Sequence, residues 1–220
     1  MKHFVWAVLG LAGIASASDH SNLDAGRPVR FTDAYSAAQG AREIQFGLSG
    51  SNLNSLSAPF ELKYGYASNR DISIGISPVL GRSSTLDSLH IGHFQTLTGE
   101  TENGPGFGIG LSADVPLDSG NPLGFGVVAA WSQYQGGKTW RHFNVGYDTQ
   151  GSIVTGILGF SGRDGLDQTI VGEVGINSNQ KWIALGARRQ MSLDLVLDFG
   201  VEHQIGGRDT RLTIGLTKSY

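Results

Sequence analysis

The sequence predicts an all-β protein, a single antiparallel up-and-down transmembrane β-barrel of about twelve strands, with ten as the alternative, joined by short turns. The first observation is the alternation near the C-terminus, where Leu212, Ile214 and Leu216 are separated by polar residues and glycine. Successive strand residues point to opposite faces, so this segment has one apolar and one polar face.

Glycine is the second observation, because it makes up 33 of 220 residues, about twice the usual ~7%. Gly106, Gly108 and Gly110 share one parity, and Gly124 and Gly126 repeat the pattern. Glycine weakens a strand but suits the inner face of a narrow barrel, where side chains lack room. Nucleotide-binding loops also contain Gly-x-Gly, but they need a helix directly after the glycines, and here a strand pattern and a turn follow.

Two environments suit strands with one apolar face: a soluble sheet with a core, and a membrane barrel with lipid outside. A membrane-spanning helix needs roughly 20 apolar residues, and no run after the N-terminal segment approaches that length. Only helices and closed barrels satisfy every backbone group in lipid, so a membrane location requires a barrel. A soluble secreted β-sandwich is the alternative.

Three regions are predicted along the chain. Residues 1–17 resemble a secretory signal peptide, with Lys2, an apolar stretch and an Ala15-Ser16-Ala17 cleavage site. Residues 18–41 are polar and irregular, and we expect either a periplasmic tail or a plug inside the barrel. Residues 42–220 are predicted to form the barrel.

Alternating segments with turn residues between them follow from Arg42 onward. A spanning strand needs about 9–11 residues, and roughly 180 residues over twelve strands leave about 15 for each strand and its turn. The faces of two strands stay open, because Leu89 and Ile91 oppose Phe94 in the fourth and because the eighth, 153–160, is apolar on both parities. The outward residues predicted elsewhere are Ile44, Phe46 and Leu48; Phe60, Leu62, Tyr64 and Tyr66; Ile72, Ile74 and Ile76; Phe107, Ile109 and Leu111; Leu123, Phe125 and Val127; Phe143, Val145 and Tyr147; Ile170, Val174 and Ile176; Ile183 and Leu185; and Leu193, Leu195, Leu197, Phe199 and Val201.

Composition and the terminal strand indicate the partners. The chain has 16 Lys and Arg against 19 Asp and Glu, a balance too mild to imply nucleic acid, and its lack of cysteine excludes disulfides and thiolate chemistry. A last strand ending at Tyr220 resembles the sorting signal of bacterial outer-membrane barrels, which predicts recognition by the barrel-assembly machinery. Lys218 departs from that signal because it lies on the apolar parity. Its aliphatic stem can lie on apolar surface while its ammonium group reaches the interface. The predicted location is the outer membrane of a Gram-negative bacterium, in contact with its lipid.

The polar parity is predicted to line the lumen. The candidate lining residues are Glu43, Gln45, Lys63, His90, Asn144, Glu173, Arg188, Asp194, Asp198, Glu202 and Arg211. Hairpin geometry predicts that Arg188 faces Asp194 and that Arg211 faces Glu202, and such pairs contribute roughly 0.2–1 kcal/mol each. The charges either neutralise one another and fill space or select solutes, and the narrow lumen favours the first role.

No catalytic or metal-binding arrangement is predicted, and no cofactor. His90 and His93 are three residues apart, which places them on opposite faces of a strand, where they cannot share a metal. His142 and Asn144 share a face, but the sequence ties no serine or acid to them. Glu173 and Asp198 could form a carboxylate pair, although nearby arginines favour a structural ion network.

Several short motifs resemble the "MetA-pathway of phenol degradation" family of outer-membrane β-barrel proteins. The matching segments are Arg27-Pro28 followed by Thr32-Asp33-Ala34, Leu62 to Tyr66, Asn69 to Ile72, Asn144 to Tyr147, Gly172 to Val174, and Leu195 to Gly200 with Ile214 to Leu216. Tyr220 replaces the more usual terminal phenylalanine. The resemblance implies a transporter for small aromatic or hydrophobic compounds, with Asn144, Glu173 and Asp198 as lumen candidates and no catalytic set.

Three functions compete. The leading hypothesis is an outer-membrane channel or transporter for a small solute. The second is a non-conducting structural or surface-interaction barrel, closed by side chains and by residues 18–41. The third is an outer-membrane barrel enzyme, which the lack of catalytic spacing disfavours.

Overall fold

The computed structural model describes residues 23–24, 27–52, 55–81, 85–86, 88–101, 104–117 and 122–220. The signal peptide predicted for residues 1–17 lies outside this part of the chain. The strand segments are β1 (Arg42–Asn52), β2 (Ser55–Ser57), β3 (Phe60–Ala67), β4 (Arg70–Ile76), β5 (Val79–Gly81), β6 (Ser88–Thr98), β7 (Gly106–Pro116), β8 (Gly124–Gly136), β9 (Thr139–Asp148), β10 (Ile153–Asp164), β11 (Gln168–Asn177), β12 (Lys181–Ser192), β13 (Leu195–Gln204) and β14 (Thr210–Ser219).

The segments form one closed antiparallel barrel of twelve strands, which confirms the predicted fold class. The short segments β2 and β5 pair with each other. β2 continues β3 and β5 continues β4, so β2 with β3 counts as one interrupted strand and β4 with β5 as another. Pro59 and Pro78 lie at the interruptions, where a residue without an N–H cannot continue the ladder. β14 pairs with β1 from Glu43↔Ser219 to Gly50↔Leu212 and closes the barrel.

The outer face is apolar. Phe46 and Leu111 are exposed by 44% and 53%, which excludes the β-sandwich, where they would meet in a dry core. Outward hydrophobes continue around the barrel and include Ile72, Phe125, Phe143, Leu158, Val174, Leu185, Phe199 and Leu212. A fold that leaves these side chains exposed on every strand needs an apolar medium around it.

The structure assigns the inner and outer faces of the two strands, β6 and β10, whose faces the sequence does not determine. In β6, Ile91 faces outward, while Phe94 lies inside against Gly108 and Gly110. In β10, Leu158 and Phe160 face outward, whereas Ile157 is buried inside the barrel. Leu193 lies in the turn after β12, not within a strand as predicted. Among the described residues there is no helix long and apolar enough to cross a membrane.

Candidate functional site

Residues 27–41 form an inner ring that runs once around the inside of the barrel wall before the chain enters β1. In chain order the ring contacts β1 and β14, then β13, β12, β11, β10, β9, β8, β7, β6, β4 and β3. Fifteen extended residues span about 50 Å, the circumference of a circle of ~8 Å radius. A twelve-strand barrel with ~4.8 Å between strands tilted by ~40° has a radius of about 12 Å, so the ring lies against the wall.

Polar side chains of the wall bind the ring backbone. Glu173 Oε2 accepts from the N–H groups of Arg30 and Phe31, each at 2.9 Å. Asn144 bonds both backbone groups of Thr32, at 2.8 and 2.9 Å. The next three contacts are Ala34 N–H to Ser132 Oγ at 3.0 Å, Ser36 N–H to Thr96 Oγ1 at 2.9 Å and Ala37 N–H to Asp71 Oδ2 at 2.7 Å. The irregular segment thereby satisfies buried backbone groups without belonging to the sheet.

Inward glycines give the ring room to approach the wall. A Cβ at Gly65 would lie 2.0 Å from the carbonyl oxygen of Ala38, and one at Gly200 would lie 2.1 Å from that of Pro28. At Gly159 it would lie 2.6 Å from the ring of Phe31. The glycine parity in the sequence therefore reflects close contact with a second layer of chain, in addition to a narrow lumen.

A small hydrophobic core lies inside the barrel at the level of the ring. Leu23, Val29 and Phe31 from the N-terminal segment pack with Ile157, Val171, Trp182 and Ala184 from the wall. Phe31 also stacks on His142, with 4.6 Å between ring centroids. This packing explains why the eighth predicted strand is apolar on both parities: one face serves the outer surface and the other the inner core.

Two arginines of the ring bind the carboxylates of β13. Arg27 Nη1 lies 3.8 Å from Asp198 Oδ2, and its Nη2 donates to Gln45 Oε1 at 2.6 Å. Arg30 donates from Nε and Nη2 to the two oxygens of Glu202 at 2.5 and 2.6 Å. Such two-point pairs of guanidinium and carboxylate are directional and strong.

The lumen candidates lie mostly where the sequence places them. Gln45, Asn144, Glu173, Arg188 and Asp198 point inward and are buried, and Glu43, Lys63, His90, Glu202 and Arg211 point inward and are half-buried. Lys63 pairs with Asp24, and His90 Nδ1 lies 2.9 Å from Asp114 Oδ1.

Asp194 is the exception among the candidates, because it lies in the turn between β12 and β13. Arg188 faces Asp198 instead, so the predicted pairing with Asp194 is wrong; β13 begins at Leu195, which shifts the hairpin register by four residues. Hydrogen bonds from Ser192 and then Lys218 hold the pKa of Asp194 below its usual value, because they stabilise the charged form.

The second predicted pairing is correct in register, since Glu202 faces Arg211 across β13 and β14. The carboxylate nevertheless binds Arg30, while Arg211 Nη2 donates to Ser49 Oγ at 2.8 Å. Arg188 shows the same pattern, because Asp198 turns to Arg27, and Nε and Nη1 of Arg188 have no hydrogen-bond partner among the described residues.

Beside the ring, a cavity of about 410 Å³ occupies the half of the lumen between β3 and β10. Its lining combines charged groups such as Lys63, His90 and Asp148 with small residues, and Thr32 and Tyr35 of the ring border it. The small wall residues are Gly92, Gly110, Ser112, Gly126 and Gly146. The cavity combines titratable and hydroxyl groups with apolar side chains such as Phe94, and it is large enough for a small solute.

Ser132, His142 and Ser161 form a buried hydrogen-bonded chain, with both imidazole nitrogens 2.9 Å from a serine oxygen. Ser132 Oγ also accepts a hydrogen bond from Ala34 N–H of the inner ring, and the Phe31 side chain stacks on the His142 imidazole. His90 faces inward and His93 outward, as predicted. The described residues hold no group of three or more side chains suited to a metal ion.

Sequence reasoning missed Arg27, Arg30 and Trp182 as lumen residues. Trp182 has a detectable signal, because it lies on the opposite parity from the outward Ile183. The two arginines lie in residues 18–41, for which the sequence allows either a tail or a plug. Nothing in an aperiodic segment predicts which wall residues it meets.

No family model and no curated protein matches the sequence. Solved structures of outer-membrane barrels do match the fold. A KdgM porin has a TM-score of 0.69 and 10% identity, covering 81% of this chain and 99% of its own. An outer-membrane channel from Pseudomonas putida F1 has a TM-score of 0.62 and 11% identity, covering 90% and 100%.

The outer membrane phospholipase A of Escherichia coli has a TM-score of 0.53 and 11% identity, covering 90% of this chain and 95% of its own. Likeness at such identity shows the fold alone, and this fold carries both channels and an enzyme. The resemblance to the phenol-degradation family is not confirmed. The chain has the β-barrel fold of outer-membrane porins.

Proposed function

We propose that this protein is an outer-membrane channel for small solutes, closed in the described conformation by the inner ring. The observation that carries the proposal is the polar cavity of about 410 Å³ beside the ring. The ring and its hydrophobic core occupy part of the lumen at their level. The apolar outer face supports contact with membrane lipid on every strand.

The cavity favours polar solutes over the aromatic or hydrophobic compounds that the family resemblance implies. Asp71, His90 and Asp148 line it together with glycine and serine, beside apolar residues such as Phe94 and Val128. An apolar solute would displace the water around these titratable groups without offering them a polar contact, which is costly.

Targeting remains a prediction alongside this proposal. A signal peptide at residues 1–17 would direct the chain across the inner membrane. The terminal strand would then meet the assembly machinery through its last residues; in the closed barrel Tyr220 N–H donates to Arg42 O at 2.9 Å.

Single-channel recording in planar bilayers tests the proposal. We expect low conductance from the chain starting at residue 18 and clear conductance steps when residues 18–41 are deleted. Heat-modifiable migration in gels checks that both barrels fold. A folded deletion variant that leaves the bilayer sealed would overturn the channel in favour of a non-conducting barrel.

A disulfide provides a matched control, because the chain contains no cysteine. Thr96 Oγ1 donates to Ser36 Oγ at 3.4 Å, so the double variant Ser36→Cys and Thr96→Cys joins the ring to β6. We expect oxidation to abolish any conductance that the reduced variant shows and reduction to restore it. Equal conductance in both states would show that the ring does not control the lumen.

A further inference from the structure

The wall of the barrel holds a site that recognises a guanidinium group, and Arg30 occupies it. Glu202 binds Nε and Nη2 of Arg30 through its two oxygens, at 2.5 and 2.6 Å. The guanidinium carbon lies 4.4 Å from the ring centroid of Trp182. A carboxylate at the edge and an indole at the face are the two elements that recognise a planar cation.

Gln180 completes the site. With its amide oxygen turned toward the guanidinium, it accepts from Nη1 of Arg30 at 3.0 Å and from Nη2 at 3.2 Å. Two of the three residues are therefore hydrogen-bond acceptors for the in-plane N–H groups, and the third covers the face. A primary ammonium would leave part of this planar arrangement unused.

The wall, rather than the ring, builds the site. Trp182 is fixed by a hydrogen bond from its Nε1 to Glu173 Oε1 at 2.6 Å and is fully buried. Glu202 keeps both oxygens for the cation because Arg211, which it faces in register, donates to Ser49 instead. The ring contributes the Arg30 side chain that fills the site, and its Val29 and Phe31 belong to the hydrophobic core that contains Trp182.

The site is open to solutes. The side chains of Arg30 and Glu202 retain 27% and 16% of their exposure. Gln180 lies in the turn between β11 and β12, at the barrel end opposite Arg42 and Tyr220. A solute entering from that end reaches the guanidinium site without crossing the ring.

We propose that this site binds solutes carrying a guanidinium group, which compete with Arg30 and release the inner ring. The inference rests on the proposed channel for its consequence, opening, but binding itself is independent of conduction. Arg30 acts as an internal ligand of the site. When a solute takes its place, the inner ring loses its contact with Glu202.

Calorimetric binding of L-arginine and L-citrulline to the folded Arg30→Ala barrel tests the proposal. The two solutes have the same shape, but citrulline has a neutral urea group in place of the guanidinium. We expect L-arginine to bind at least about tenfold more tightly, since charge-assisted bonds to a carboxylate are lost with citrulline. Adding Glu202→Gln should remove the difference, and the wild-type chain should bind L-arginine more weakly than Arg30→Ala because its own arginine competes.

Equal affinity for both solutes in Arg30→Ala, or a preference that survives Glu202→Gln, would overturn the site. Arg30→Gln serves as a second variant if the alanine variant does not fold. The two proposals fail separately: a sealed deletion variant that accompanies arginine binding would refute the channel alone, whereas a conducting deletion variant without arginine preference would refute the site alone.

Discussion

The two halves of the lumen hold the inner ring by different physical means. On the side of β11 to β14, Glu173, Asp198 and Glu202 bind the backbone and the two arginines of the ring. On the side of β6 to β10, hydroxyl and amide groups such as Ser132 and Asn144 bind the ring backbone, and the polar cavity adjoins this half. Arginine–carboxylate pairs hold the ring on the side of β11 to β14, whereas on the side of β6 to β10 neutral groups bind its backbone and space for a solute adjoins it.

This difference indicates how the ring would move. Charge-assisted hydrogen bonds are roughly twice as strong as neutral ones, so the neutral half should release first. The charged half should then act as the hinge until a competing cation occupies its site.

Glu173→Ala should have the largest effect, because this side chain accepts from Arg30 N–H, Phe31 N–H and Trp182 Nε1–H. Each bond to a charged group contributes about 1.5–3 kcal/mol. We expect trypsin to cleave after Arg30 at least about 100-fold faster, because the enzyme is too large to enter the lumen and needs the ring outside. Glu173→Gln retains an acceptor oxygen and should show a smaller increase; equal rates in Glu173→Ala and wild type would contradict the role of the charged half.

Gly200→Ala should follow, because its Cβ would lie 2.1 Å from the carbonyl oxygen of Pro28 and overpacking costs about 1–3 kcal/mol. The matched control is Gly146→Ala on the cavity side, where the nearest atom is Val127 O at 3.4 Å. We expect cleavage after Arg30 to be roughly tenfold faster than in wild type for Gly200→Ala and unchanged for Gly146→Ala. Similar rates in the two variants would show that the close approach at Gly200 does not hold the ring in place.

Asn144→Ala tests the neutral half. It removes two neutral bonds to Thr32, and at about 0.5–0.7 kcal/mol each, the low end of the usual range, their loss should accelerate the same cleavage by about five- to tenfold. Asn144→Asp keeps the acceptor and loses the donor, so its rate should fall between those of wild type and alanine. A larger effect than that of Glu173→Ala would reverse the proposed order of release.

The smallest effect is expected outside the lumen, at Asp194. Hydrogen bonds from Ser192 and Lys218 lower the pKa of Asp194 in the folded barrel. Its contribution to barrel stability is therefore present above the pKa that Asp194 has in the unfolded chain, and it is lost as the pH falls through the pKa of the folded state. We expect the temperature of heat-modifiable unfolding to fall slightly at acidic pH in wild type. Asp194→Asn should lack this component, and a loss of stability toward alkaline pH would contradict the assignment.

Sequence patterns predicted the wall well because alternation is a local property. The outward parity of Phe46, Leu111 and Phe199 follows from neighbours two residues away. The sequence did not assign the faces of β6 and β10, and these are the two strands whose inner faces carry Phe94 and Ile157. Their inner apolar residues pack inside the barrel, which period-two reasoning does not anticipate.

Charge partners were predicted less well. The hairpin registers place Arg188 opposite Asp198 and Arg211 opposite Glu202, yet both acids bind arginines of the ring. The ring residues lie about 170 positions away in sequence from Glu202 and Asp198, so a local rule cannot pair them.

The sequence by itself determined strands with an apolar face and a glycine-rich polar face, and it required a closed barrel if the chain lies in lipid, because only helices and closed barrels satisfy the backbone there. Only the tertiary structure decided the path of residues 27–41, the inner hydrophobic core and the site around Arg30. An irregular segment has no period, so its position depends on the cylinder that the wall forms and on which wall groups need partners there.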